Sequence, residues 1–261
     1  MSVLSISSAD MARWLGEFVW PFLRILALFS IAPGFGSAAI PARAKVAIAF
    51  VVACLVAATL RHTVPLTLSW VALLLAVQQV LVGLAIGFAM QLALAAMAFA
   101  GDLIGVQMGF GFAGLLDVQN RFEVPVIADL FGLIGLLLFV TLDGHLILLG
   151  VLVRSFDVVP VAPNIGITGA GWQALVRTGA LLFQMGVWLA LPVIAALLAA
   201  TLGLAVVSRV SPQINILSVG FPLFMWIGIA MTIALVPFLA PAVAHMIDVG
   251  LAAAGAALRG G

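Results

Sequence analysis

The sequence predicts an all-α membrane protein of about six long hydrophobic helices, partly broken or kinked, with a Gly/Phe-rich segment between the third and fourth. Two observations carry this prediction. Of the 261 residues, 66% are apolar and only 7% are charged, whereas roughly a quarter of a soluble domain is charged. Uncharged runs also separate Arg61 from Asp102, Arg177 from Arg209 and Arg209 from Asp248. Each run exceeds the roughly 20 residues needed to cross hydrocarbon.

The first predicted span covers residues 12–33 and ends in a turn. Pro33 disfavours helix in the residue before it, and Gly34 permits the chain to reverse. The second span covers residues 42–60, so a short loop joins the two.

Two basic residues follow the start of the second span. Pro41 directly precedes it, and proline is favourable where a helix begins. Arg43 and Lys45 come next, although positive charge is mildly unfavourable at a helix N-terminus. We therefore expect lipid headgroups or an acidic neighbour to attract them.

Three later spans are longer than a perpendicular crossing requires. They cover residues 67–100, 172–208 and 212–247, and the fourth span covers residues 126–154. A helix of thirty-odd residues reaches about 50 Å against a hydrocarbon core of roughly 30 Å, so these helices must tilt, break or protrude. Their natural kink points are four prolines: Pro192, Pro222, Pro237 and Pro241.

Residues 101–125 are glycine-rich and apolar at the same time. Five glycines occur at positions 101, 105, 109, 111 and 114, and at about 1 kcal/mol each they would cost a helix roughly 5 kcal/mol. The prediction is therefore irregular backbone. At membrane depth such backbone is tolerated only inside protein or along a cavity. The large apolar side chains that would exclude water there are Met108, Phe110, Phe112, Leu115 and Leu116.

Two interpretations of this segment compete. Gly101, Gly105 and Gly109 have the four-residue spacing of a helix-packing face. Phe110 and Phe112, however, place bulky rings beside backbone that would need to approach a neighbour closely. The sequence therefore favours an inserted hydrophobic constriction over a packing face.

The sequence offers little that resembles an enzyme. The net charge is +1, which gives no reason to expect a nucleic-acid partner. His62, His145 and His245 are too scattered for a metal site, and neither a nucleophile elbow nor a phosphate-binding glycine loop occurs. We expect a protein without catalytic residues, metal or cofactor.

Two carboxylates in or beside the fourth span leave another class open. Asp129 and Asp143 would suit a coupled ion path, because carboxylates inside a membrane usually are functional or paired. This alternative is a secondary transporter or ion channel. For Asp143, Gly144 and His145, a turn or the end of a helix is favoured over a proton relay.

A linker divides the predicted spans into two groups. Residues 157–171 are rich in proline and glycine and read as a turn-forming connection. The front region, residues 1–156, holds four spans and the segment 101–125. The back region, residues 172–261, holds a hairpin of two helices.

Several motifs in a fixed order resemble one family. They are Ala32–Ser37, Ile40–Arg43, Gly111–Ala113 with Leu116–Asp117, Leu142–His145, Ser211–Asn215 and Val219–Leu223. Together they resemble the FliR family of flagellar export-gate proteins and its virulence-type secretion counterparts. The Gly-Phe-Pro-Leu element is more similar to the flagellar branch, and the virulence-type (injectisome) branch is the alternative.

The resemblance implies a function. It implies a non-catalytic subunit of the flagellar type III protein-export gate, a multi-pass protein of the bacterial inner membrane at the flagellar basal body. Implied partners are FliP and FliQ in a helical complex with FlhB nearby, membrane lipids, and unfolded export substrates.

The resemblance also assigns roles to residues. The segment after the third span would plug the export pore, with Met108, Phe110, Phe112, Leu115 and Leu116 as its sealing side chains. The hinges of this plug would be four glycines: Gly105, Gly109, Gly111 and Gly114. The candidate assembly determinants are Pro41, Arg43, Lys45, Gln213, Asn215 and Pro222.

Overall fold

The described part of the chain folds into seven helices and contains no strand. A computed structural model describes residues 7–37, 39–58, 64–66, 69–110, 125–162, 169–211 and 216–259. The helices are α1 (Ser8–Ile31), α2 (Ala42–Ala57), α3 (Trp70–Gln107), α4 (Val126–Thr141), α5 (Gly144–Val158), α6 (Gly169–Val210) and α7 (Ile216–Arg259). The predicted all-α membrane fold is confirmed.

Four helices are long and apolar enough to cross a membrane. These helices are α1, α3, α6 and α7. The α4–α5 pair brings the count to five if it is taken as one broken span. Helix α2 has 16 residues and reaches about 24 Å at 1.5 Å per residue, which is short for a perpendicular crossing. The described residues therefore form a multi-pass membrane protein.

The fourth predicted span is broken in the structure. Helix α4 ends at Thr141 and α5 begins at Gly144, with Asp143 between them at a φ of 55°. Such a positive φ is uncommon for a side-chain-bearing residue, although aspartate tolerates it better than most. The Nδ1 atom of His145 has no hydrogen-bond partner among the described residues. The expected turn at Asp143 is present.

The expectation of irregular backbone from Gly101 onward is wrong for residues 101–107. Helix α3 continues through Gly101 and Gly105 to Gln107. A Cβ atom added to Gly101 would lie 2.5 Å from the carbonyl oxygen of Ile127 and 2.8 Å from the Cα of Ala128. The cost of glycine in the helix is offset by this close approach to the start of α4, as in small-residue packing between membrane helices.

The chain divides into two compact units. One comprises Met1–Leu92, Asp143–Gly179 and Asp248–Gly261, and the other comprises Ala93–Leu142 and Ala180–Ile247. The long helices α3, α6 and α7 each contribute to both units. The division into a front and a back region at residues 157–171 stays a prediction.

In the first unit, α1 packs against the beginning of α3 through two glycines. A Cβ at Gly83 would collide with the carbonyl oxygen of Arg24, and one at Gly87 would lie 3.0 Å from the carbonyl oxygen of Leu28. Because the contacts advance in the same order along both helices, α1 and α3 run parallel. Helix α2 adds Phe50, whose ring centroid lies 4.9 Å from that of Phe18.

In the second unit, the end of α3 packs against α4 and α6. Besides the Gly101 contact, a Cβ at Gly135 would lie 3.1 Å from the Cγ of Met97. On the α6 side, the rings of Phe99 and Phe183 meet edge to face with centroids 5.2 Å apart. The carboxyl end of α3 is therefore packed against two neighbouring helices, with Val106 left exposed, and this end carries the candidate site.

Candidate functional site

The candidate site begins where α3 ends. The amide of Phe110 donates to the carbonyl of Gly105 at 3.1 Å, and the amide of Gly109 donates to the carbonyl of Val106 at 3.0 Å. Gly109 has a φ of +93°, which glycine adopts without steric cost. This pair of bonds around a left-handed glycine is the Schellman motif that commonly terminates helices. Gly109, predicted as a hinge, is thus the C-cap glycine of α3.

Met108 fills a notch in α7. Its exposed fraction is 0%, and its side chain lies over the backbone of Gly228. A Cβ added to Gly228 would stand 2.5 Å from Cγ, 2.7 Å from Sδ and 2.8 Å from Cε of Met108. Carbon atoms ordinarily approach to about 3.5–4.0 Å. Residue 228 must therefore be glycine for Met108 to occupy this position.

The neighbouring residues of the turn contact an earlier part of α7. A Cβ at Gly109 would lie 3.2 Å from the Cδ2 atom of Phe221, whose own side chain is 38% exposed. Phe110 is half-buried. Met108, Gly109 and Phe110, hereafter the Met108–Phe110 turn, thus join the segment predicted as a constriction to the Gly-Phe-Pro-Leu motif that starts at Gly220.

Several predicted site residues lie outside the described residues. Their roles stay predictions. They are Gly111, Phe112, Gly114, Leu115, Leu116, Gln213 and Asn215.

The remaining assembly candidates lie at helix starts. Pro41 directly precedes α2, while Arg43 is exposed and Lys45 is half-buried in its first turn. Pro222 is exposed in the first turns of α7, next to Phe221. Arg43 and Pro222 are therefore accessible on this chain.

Chemically, the Met108–Phe110 turn offers apolar surface. Across the described residues, no group of three or more His, Cys, Asp and Glu side chains could hold a metal ion. The atoms that meet at Gly228 and Phe221 are carbon and thioether sulfur. The arrangement is suited to excluding water from a narrow space.

A second feature, in the first unit, is a buried arginine. Arg24 has an exposed fraction of 0%. Its Nε donates to the Oε1 of Gln79 at 2.9 Å, one terminal nitrogen donates to the Oγ of Ser155 at 2.9 Å, and the other donates to the carbonyl of Val159 at 2.8 Å. The guanidinium also lies 3.9 Å from the ring centroid of Phe156, within cation–π range.

Arg24 therefore joins α1 to α3 and to the end of α5. Its three acceptors are neutral, which agrees with the tendency of charges inside membranes to bond backbone carbonyls and polar side chains within the bundle. Gln79 accordingly finds a helix partner in preference to lipid.

The sequence interpretation missed Arg24 and Gly228 as key residues. Arg24 did carry a signal, since it is a charge in the middle of the first predicted span. Gly228 lies in an apolar helix, and the residues around it do not predict its contact, because Met108 is far from it in the sequence.

Comparisons with known proteins place these features in a family. Residues 15–249 match the family described as "Bacterial export proteins, family 1". The flagellar biosynthetic protein FliR of Escherichia coli (strain K12) is 39% identical over 94% of this chain and 93% of its own length. FliR of Pectobacterium carotovorum subsp. carotovorum is 40% identical over the same shares. FliR of Bacillus subtilis (strain 168) is 31% identical over 83% of this chain and 84% of its own length.

Proposed function

The chain belongs to the bacterial export proteins, family 1, and is a non-enzymatic subunit of a flagellar export apparatus; we propose that it helps to form and seal the export pore for unfolded flagellar proteins. The relatives described above carry flagellar names, which favours the flagellar over the virulence-type system.

The environment of the Met108–Phe110 turn is the observation that best supports the sealing role. It follows an apolar helix of 38 residues, and its first side chain is fully buried against α7. A narrow passage lined by apolar side chains excludes ions because water leaves it. The turn would bring Phe110 into such a passage when the apparatus is assembled.

The seal extends along the chain beyond Phe110. Phe112, Leu115 and Leu116 would complete the apolar plug, and Gly111 and Gly114 would let it yield when a protein passes. Glycine suits this role because its backbone reaches conformations closed to other residues. The work of moving substrate comes from other components.

Partner subunits and lipid would cover the outer surfaces of α6 and α7. In the most apolar 18-residue stretch of α6, only 22% of the residues are buried inside the chain, and in that of α7 only 17% are. Apolar faces of this extent suit a helical complex with FliP and FliQ, with FlhB nearby. Arg43, Lys45 and Pro222, with Pro41, Gln213 and Asn215, are the proposed contacts for assembly.

The proposed location is the bacterial inner membrane at the flagellar basal body. Purification from the native host in mild detergent, followed by mass identification of the proteins that accompany the chain, tests the assembly. We expect FliP and FliQ in one stable complex. A homogeneous, lone monomer that is stable in detergent would contradict the proposal.

A further inference from the structure

We propose that Met108 and Gly228 form a latch, which holds the Met108–Phe110 turn against α7 while the pore is closed and which must separate during export. This inference rests on the proposed sealing function. It adds the contact that regulates the seal, and it makes Gly228 a positioning residue for Phe110.

The fit between the two residues is specific. A Cβ at Gly228 would fall within 2.8 Å of three side-chain atoms of Met108, closer than non-bonded atoms approach. Gly203 in α6 and Gly255 in α7 have no atom within 4 Å of the same added Cβ. The close approach at residue 228 therefore reflects the seating of the methionine and is absent at Gly203 and Gly255.

The latch is mechanically joined to Phe110. Met108 and Phe110 flank Gly109, and the two hydrogen bonds of the Schellman motif tie this turn to Gly105 and Val106. The Gly109 backbone also lies close to the ring of Phe221. Only Gly109 separates Met108 from Phe110, so a displacement of the Met108 backbone away from α7 must move Phe110 as well.

The contact can also open and close repeatedly. It is made by Cγ, Sδ and Cε of Met108, so its separation breaks no charged or directed bond at these atoms. Methionine is unbranched and flexible, so its side chain can follow the turn out of the notch and back into it. An apolar side chain in a glycine notch can leave and return without chemical change.

A disulfide across the latch tests whether it must separate. Cys54 is the single cysteine of the chain, so the test uses Met108→Cys with Gly228→Cys in a Cys54→Ala background in the native host. A sulfur in the place of the methionine Cγ would face the new Cβ at residue 228, as disulfide formation requires. Diamide takes up the two thiol hydrogens, and a thiol reductant reverses the bond.

We expect the oxidised pair to cross-link and to lose export of flagellar proteins, with recovery after reduction. Met108→Cys paired with Gly203→Cys is the matched control and should neither cross-link nor lose export. A cross-linked pair that still exports would overturn the latch. Failure of the pair to cross-link would overturn it as well.

Assembly is followed in the same cells, so that failure of the latch and failure of the proposed function are distinguishable. Co-purification with the partner subunits and the ion leak of a Phe110→Asp variant test the function without the latch. If the reduced cysteine pair does not support export, the ion leak of the Gly228→Ala variant is measured as the test of the latch. This variant should leak more ions than Gly203→Ala at equal protein level, and equal leaks would refute the latch.

Discussion

The guanidinium of Arg24 lies 3.9 Å from the ring centroid of Phe156. Around the same guanidinium, Gln79, Ser155 and Val159 each accept one hydrogen bond. A single side chain of α1 thereby satisfies polar atoms from two other segments in an environment from which water is excluded.

Replacement of Arg24 by leucine should destabilise the protein strongly. Three buried acceptors would lose a charged donor, at a cost on the order of 3 kcal/mol or more. Arg24→Lys should recover only part of this loss, because a single ammonium lacks the planar fork that reaches separate acceptors. Thermal unfolding in mild detergent measures the effect.

The control for Arg24 is Arg177→Leu, which removes an exposed cation of α6. Surface changes of this kind usually alter stability by no more than about 0.5 kcal/mol. Equal melting temperatures for Arg24→Leu and Arg177→Leu would show that the buried hydrogen bonds contribute little.

Gly83→Ala should separate α1 from α3. The new Cβ would collide with the carbonyl oxygen of Arg24 and lie 2.9 Å from the Cβ of Ala27. Such overpacking typically costs about 1–3 kcal/mol. Gly203→Ala, in open space, should instead stabilise its helix by up to about 1 kcal/mol. Opposite shifts in melting temperature are expected, and shifts of the same sign would argue against the packing.

Phe110→Asp should open an ion leak and reduce export. A carboxylate binds water, so it would wet a constriction that an aromatic ring keeps dry. Phe112→Asp should act in the same way, while Phe110→Leu, which remains apolar, is the control. Membrane conductance and secretion of flagellar proteins are the measurements. Normal sealing in both aspartate variants would count decisively against a plug.

Asp143→Gly should preserve export and slightly raise stability. Asp143 has a φ of 55°, and its side chain makes no capping hydrogen bond to α5. Glycine removes the conformational cost of that φ, which is about 1 kcal/mol, whereas Asp143→Val should increase it. Loss of export in the glycine variant, at normal protein level, would instead indicate a role for the carboxylate in proton or ion transfer.

The helices could be predicted from the sequence because the length and apolar character of a segment are local properties. The end of α1 near Pro33 and the start of α2 after Pro41 lie within a few residues of their predicted positions. The break at Asp143 was predicted as a turn, while the span around it was predicted as continuous. A single residue with positive φ gives little signal in an apolar run.

The error at Gly101 and Gly105 has a different cause. Helix propensity alone counts each glycine as a cost, yet both face Ile127 at the start of α4. Which segment packs there depends on the tertiary fold. The sequence predicted Met108 as a site residue. It did not predict the partner Gly228, because that contact also depends on the tertiary fold.

The contacts of Arg24 also constrain how the protein is made. Its hydrogen bond to Val159 joins residues 135 positions apart, so α1 leaves the ribosome long before its acceptor exists. Until residue 159 has been synthesised, the nascent first helix must keep a charged group sheltered by water, headgroups or the insertion machinery. The arginine reaches its final surroundings only after α5 has been inserted.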